Sequence, residues 1–204
     1  MVTDRRTTRY LRELAKEMPL FSRSDEFPVL GAESAGLLRV IVTLLRPKRI
    51  LEIGTNIGYS GTVMLQAAPD AMLFTIEMDE DTANMARENF TSVGVGDRVQ
   101  ILRGRAEDIL PYIKDEYDLI FLDGPKGQYL YLSTLLLPML KRGGVLVCDN
   151  VLFRGMVSGK RKTTARKRTL VKKLDEFLCF ISNSPELETS IIPIGDGMSV
   201  SYKI

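Results

Sequence analysis

Ile50-Leu51-Glu52-Ile53-Gly54-Thr55-Asn56-Ile57-Gly58-Tyr59-Ser60 is the stretch that decides the fold. A continuous apolar run stops at a glycine, and a second glycine follows in the same loop just before a helical pattern. Uninterrupted apolar strands belong to parallel sheets whose two faces are both covered by helices. The pattern recurs downstream at Met72 to Glu77, Arg98 to Leu102, Tyr117 to Asp123 and Gly143 to Asp149, after a first run at Arg49 to Ile53. Helical spacing fills the segments between, as in Asp79 to Val93 and Gln128 to Leu140. Two last runs, Thr189 to Ile194 and Met198 to Tyr202, flank Gly195-Asp196-Gly197, and Asp-Gly between apolar runs signals a hairpin. The expectation is a doubly wound α/β fold, a mostly parallel sheet ending in an antiparallel hairpin. Its 204 residues suit a single domain, 1–204, with residues 1–48 as a helical extension packed on it.

Composition narrows the chemistry. The chain has no histidine, which excludes Ser-His-Asp and Cys-His nucleophile pairs, HExxH zinc sites and any His-ligated metal. A general base has to be Lys, Asp, Glu, Tyr or Cys. The two cysteines, Cys148 and Cys179, lie in apolar runs without CxxC spacing, as expected of reduced thiols in a cytoplasmic protein. No run reaches the roughly 18 to 20 apolar residues of a membrane span. Residues 1–18 read as a charged amphipathic helix and lack the apolar core of a signal peptide.

Net charge is +2, from 28 basic and 26 acidic residues. That average conceals an asymmetry. Arg154, Lys160, Arg161, Lys162, Arg166, Lys167, Arg168, Lys172 and Lys173 follow one another between Asn150 and Leu174 with no acid among them. Without these nine, 19 basic residues face 26 acidic ones, about −7. A single-sign stretch on an acidic body attracts an anion.

In open α/β sheets ligands bind beyond the carboxyl ends of the strands. At the first such end, Gly54 and Gly58 permit a tight turn and close backbone approach, and the following helix offers free N–H groups. The spacing is not G-x-G-x-x-G, since Asn56 stands where the second glycine would be, so a dinucleotide pyrophosphate is disfavoured. Glu52 suits the ammonium group of an amino acid. The second strand ends in Glu77, about 20 residues after the loop, where an acid accepts both ribose hydroxyls. A nucleoside carrying an amino-acid tail fits this set, and S-adenosylmethionine is such a molecule. Read singly, the loop is also a plain β–α turn and Glu77 a solvated strand-end acid.

The fourth and fifth strands end in Asp123-Gly124-Pro125-Lys126 and Asp149-Asn150. If these strands are neighbours, two carboxylates and an amide oxygen meet at adjacent tips, hard ligands that suit Mg²⁺ or Mn²⁺. Lys126 is close enough in sequence to face the same place. The competing reading is that each aspartate caps a helix. From Arg166 on, Leu170, Leu174, Phe177, Leu178 and Ile181 recur at helical spacing, so the basic residues occupy the outer face. Either they form an ordinary solvated face or, next to a metal site, they hold a phosphate-rich substrate such as RNA or a nucleotide thioester.

With these pieces in place the chain resembles the cation-dependent O-methyltransferases that include the catechol and caffeoyl-CoA enzymes. The shared stretches are ILEIGTNIGYS, the strand ending in Glu77, GRAEDILP, FLDGPKGQY and CDNVLFRG. The resemblance implies a Rossmann-like methyltransferase sheet of seven strands. It implies S-adenosylmethionine contacts from Leu30, Glu52, Gly54, Thr55, Gly58, Ser60, Glu77, Ala106 and Asp123. It implies Mg²⁺ on Asp123, Asp149 and Asn150, Lys126 as general base, and a homodimer. Within the family, DNVLFRGMV, the Arg/Lys cluster before KKLDEF, and IIPIGDGMSVS are most similar to the bacterial branch that converts 5-hydroxyuridine at the tRNA wobble position to 5-methoxyuridine.

The expected mechanism is methyl transfer to a metal-held hydroxyl, with Lys126 taking the proton; a divalent cation disfavours the charged ammonium beside it, as a lysine base requires. Arg154, Lys160, Arg161, Lys162, Arg166, Lys167 and Arg168 would hold phosphates of the tRNA anticodon loop. Two rivals stand beside this reading. One is a small-molecule O-methyltransferase acting on catechol-like or CoA-linked phenols. The other is a non-catalytic RNA-binding module with a relic cofactor pocket, against which the intact Asp123, Lys126, Asp149 and Asn150 set argues.

Overall fold

The structure is a computed structural model that describes residues 29–153, 155–157, 159 and 165–204. The amphipathic helix expected at the start of the chain, and residues 1–28 of the expected helical extension, lie outside the described residues. The chain divides into two compact units, Met1–Ile109 and Leu110–Ile204.

In the first unit, α1 (Ala32–Leu45) turns Ser34, Ala35, Leu38 and Val42 inward at helical spacing and packs against α2 (Tyr59–Ala67). The strands β1 (Arg49–Ile53), β2 (Met72–Glu77) and β3 (Val99–Arg103) pair in parallel in the order β3-β2-β1, with Arg49 opposite Met72 and Ile53 opposite Ile76. Helix α3 (Glu80–Ser92) joins β2 to β3, and α4 (Ala106–Ile109) closes the unit. Asp79 caps α3 by accepting from the Thr82 amide at 2.8 Å. Strand β3 starts one residue later than the apolar pattern predicts. Arg98 belongs instead to a 3₁₀ turn, and its guanidinium donates to the carbonyls of Leu65, Ala68 and Ala71 at 3.1–3.3 Å, which satisfies the chain leaving α2.

In the second unit, β4 (Tyr117–Leu122) pairs in parallel with β5 (Leu140–Asp149). The last strands, β6 (Leu187–Ile192) and β7 (Met198–Lys203), are antiparallel to each other, and β7 lies between β5 and β6. Helix α5 (Tyr129–Leu136) lies between β4 and β5, and α6 (Arg168–Ser182) between β5 and β6. The helix read over Gln128 to Leu140 is shorter than its periodicity suggests, because Pro138 removes a donor and turns its end into a 3₁₀ segment, Leu137–Met139. Strand β6 likewise stops at Ile192, before Pro193, two residues short of the expected end. Helix α6 buries Leu174, Phe177, Leu178 and Ile181, the apolar stripe its spacing predicts.

Parallel pairing thus holds β1 to β2, β2 to β3 and β4 to β5, and an antiparallel pair ends the chain. This is the mostly parallel α/β arrangement expected from the apolar runs. No described helix is long and apolar enough to cross a membrane.

Candidate active site

The loop after β1 takes three positive φ angles within a few residues: Gly54 at 97°, Asn56 at 48° and Gly58 at 84°. Asparagine tolerates the left-handed region better than other side chains, which is how it serves here in place of glycine. At Gly58 space as well as φ is limiting, because a Cβ there would lie 2.9 Å from Cζ of the buried Phe90. The Gly54 amide donates to the Ile76 carbonyl at 3.0 Å, and the Asn89 side-chain amide, fully buried on α3, donates to the Ile57 carbonyl at 2.8 Å.

Glu52 sits beneath this loop with 0% exposure. Its carboxylate accepts from the Ser60 hydroxyl and, at 2.7 Å, from the Thr75 hydroxyl. Thr75 in turn shares a 2.6 Å hydrogen bond with Thr55. Buried and held by hydroxyls, Glu52 ties the loop to α2 and β2. Glu77 is half-exposed at the end of β2. Its Oε1 accepts the Met78 and Asp79 amides at 2.9 and 3.0 Å, and its Oε2 accepts the Asn56 amide at 3.0 Å. This fixes the carboxylate and leaves lone pairs for vicinal hydroxyls. Leu30 and Ala106 are both buried, Leu30 just before α1 and Ala106 as the first residue of α4.

The second unit brings the other predicted residues together. Asp123 follows the last residue of β4, and Lys126 donates to its Oδ1 at 2.7 Å. Asp149 ends β5 with 3% exposure, and Asn150 donates from its side-chain amide to Asp149 Oδ2. Burial, and after it the Asp123 carboxylate, pushes Asp149 up to about 6. Its Oδ1 is buried with no hydrogen-bond partner, a costly state for a carboxylate oxygen unless a cation takes it up. Two carboxylates, one with an orphaned oxygen, and an adjacent amide form a hard-oxygen donor set. That chemistry fits Mg²⁺ or Mn²⁺. No group of three or more His, Cys, Asp or Glu side chains able to hold a metal occurs among the described residues.

Asn150 itself adopts φ 59°, a conformation that the chain around it imposes. The amides of Val151 and Leu152 donate to the carbonyls of Gly197 and Asp196 at 2.9 and 3.0 Å, so the turn between β6 and β7 grips the segment after Asn150. The fit there is close: a Cβ on Gly197 would come within 2.3 Å of Leu152.

Two kinds of residue escaped sequence reading. Tyr129, fully buried at the start of α5, donates towards the carbonyls of Leu122 at 3.2 Å and Asp149 at 3.0 Å. Burial holds its phenol well above the ordinary range, so it remains a proton donor. Asn89 and Thr75 support the β1 loop in the same hidden way. A polar residue inside an apolar run is the available signal, and it does not reveal the partner. Of the basic stretch, Arg154, Lys160, Arg161 and Lys162 lie outside the described residues, as does the side chain of Arg166. Lys167 places its Nζ 5.6 Å from the Phe153 ring centroid, and Arg168 is exposed as the first residue of α6. Lys172 forms a 3.5 Å pair with Glu176, so the single-sign run meets an acid in space.

Comparison with known proteins gives these elements a family. A family model described as O-methyltransferase matches residues 3–204. Catechol O-methyltransferase B of Danio rerio is 35% identical over 145 residues, spanning 67% of this chain and 55% of that protein. A crystal structure from Staphylococcus aureus, provisionally named a caffeoyl-CoA O-methyltransferase, matches with a TM-score of 0.84 at 28% identity, over 97% of this chain and 99% of the other. The O-methyltransferase TomG of Streptomyces achromogenes, involved in tomaymycin synthesis and solved with S-adenosylmethionine, gives 0.80 at 26% identity over 100% and 92%.

Proposed function

We propose a substrate for this chain, which belongs to the O-methyltransferase family and is an S-adenosylmethionine-dependent enzyme of the catechol and caffeoyl-CoA type. The acceptor is the 5-hydroxyl of 5-hydroxyuridine at the tRNA wobble position, methylated to 5-methoxyuridine. The observation that carries this reading is the basic run that begins right after Asp149-Asn150. A positive segment continuous with the acceptor side of an active site suits a substrate rich in phosphate, and a wobble base in a single-stranded loop is cheap to splay out.

S-adenosylmethionine, when bound, would supply a methyl group that passes from its sulfonium sulfur to an oxygen nucleophile, with the neutral thioether S-adenosylhomocysteine as leaving group. Mg²⁺, when bound, supplies Lewis acidity that favours the ionised hydroxyl. Asp123, Asp149 and Asn150 would hold the metal. Glu77 would accept the ribose hydroxyls on its fixed carboxylate, while Gly54, Thr55, Gly58 and Ser60 shape the loop against the amino-acid tail, with Leu30 and Ala106 as apolar walls. Lys126, whose nitrogen is held by its 2.7 Å hydrogen bond to Asp123, would take the proton released by the acceptor hydroxyl. Arg154, Lys160, Arg161, Lys162, Arg166, Lys167 and Arg168 hold anticodon-loop phosphates. Assembly as a homodimer in the cytoplasm belongs to the same proposal; Val40 and Leu44, apolar and exposed on α1, support it, and a monomer by light scattering would count against it.

The names of the relatives favour a second reading, transfer to a catechol or a CoA-linked phenol. One experiment separates the two. The enzyme is offered 5-hydroxyuridine tRNA, unmodified tRNA, catechol and caffeoyl-CoA, and products are identified by mass spectrometry. Methylation of the hydroxylated tRNA alone is expected; turnover of the phenols with none of tRNA overturns the RNA reading. Asp149→Ala is expected to abolish divalent-dependent activity in a folded protein, and full wild-type activity in chelator would remove the metal from the account.

A further inference from the structure

Tyr129 is buried, polar and unused by the chemistry above, yet it reaches the backbone at both strand tips and lies near Lys126. Its hydroxyl lies 3.2 Å from the Leu122 carbonyl, the residue before Asp123, and 3.0 Å from the carbonyl of Asp149 itself. Its ring lies 5.8 Å beneath the Lys126 ammonium. The opposite support is Phe177 of α6, edge-on to the ring at 5.4 Å and 80°. A hydroxyl has one proton, and here that proton serves two carbonyls at the tips of two parallel strands. Leu122 and Cys148 are paired across these strands, so the tyrosine closes the ladder where the sheet hydrogen bonds run out.

From this geometry we infer that Tyr129 is a positioning residue, which sets the spacing of the Asp123 and Asp149 carboxylates and so the affinity of the pair for a divalent cation. The inference rests on the metal reading of that cluster given above. Without the hydroxyl the two strand tips lose the tie between their last carbonyls, and the two carboxylates lose the separation that a single cation can bridge. Groups standing behind metal ligands commonly change affinity by about 10- to 100-fold when removed.

The test is titration of the metal-free full-length protein with Mn²⁺ alone, read by electron paramagnetic resonance of the free ion. Tyr129→Phe keeps the ring and removes the hydroxyl. It is expected to weaken Mn²⁺ binding by about tenfold or more while the metal-free unfolding midpoint changes little. Phe177→Leu serves as the packing control, expected to lower the midpoint and leave Mn²⁺ affinity in place. A folded Tyr129→Phe protein that binds Mn²⁺ as tightly as wild type overturns the inference and leaves the metal reading standing. A wild-type protein that takes up no Mn²⁺ overturns the metal reading and this inference with it. An equal loss of affinity in Phe177→Leu also overturns it, because general packing would then suffice.

Discussion

Burial in β5 pushes the Cys148 thiol up to about 12, whereas Cys179 lies exposed on α6. A thiol that ionises so late is a poor nucleophile at neutral pH. Native protein treated with iodoacetamide at pH 8 is expected to carry one adduct, on Cys179, and denatured protein two; intact mass settles it. At pH 9 Cys148 of the native protein is still expected to remain unlabelled, because burial disfavours its thiolate. Residues of the cluster were legible for a simple reason: Asp123, Asp149 and Asn150 fall at strand ends, where a polar side chain interrupts an apolar run, and Lys126 follows a few residues later in a 3₁₀ turn. Tyr129 and Asn89 were not, because each lies inside a helix and acts by reaching a carbonyl far away in sequence. Glu52 was visible as an acid near the end of the first strand, but its hydrogen bonds with Ser60 and Thr75 depend on pairings that no spacing rule contains.

Among the elements, the β1 loop is the most constrained. Gly58→Ala meets both a positive φ and the Phe90 ring, costs of about 1–2 and 1–3 kcal/mol respectively. Urea unfolding is expected to show a loss of about 2–4 kcal/mol, together with weaker S-adenosylmethionine binding by calorimetry. An unchanged unfolding midpoint would mean that Phe90 yields without cost. Helix α3 offers a test in acid. The Thr82 hydroxyl, and after it the Thr82 amide, holds Asp79 below the ordinary carboxylate range. The folded value lies below the unfolded one, so the cap stabilises above that range and is lost as the pH falls through it. Asp79→Ala should therefore unfold more easily than wild type at pH 7, with the gap closing below about pH 4. Element types were readable from period and turn chemistry; several ends were not. Pro138 and Pro193 cut a helix and a strand short, and Arg98 was drawn from β3 to the carbonyls behind α2.

For the molecule as a whole, charge segregation is the testable property. Replacing Arg166, Lys167 and Arg168 with alanine should weaken tRNA binding and flatten the slope of log affinity against log salt by about 2, as for three lost contacts to single-stranded phosphates. A slope unaltered in filter binding would assign these residues to an ordinary solvated face. The alternation of apolar runs and helices exposed the α/β order at this scale, while the grip of the last turn on Asn150 joins parts of the chain no local pattern connects. That grip also dictates a timetable. The amides of Val151 and Leu152 find their acceptors on Asp196 and Gly197, so during synthesis the segment after Asn150 waits for its partners until Gly197 has emerged. The β1 loop can settle long before then; the stretch that carries Asn150 cannot.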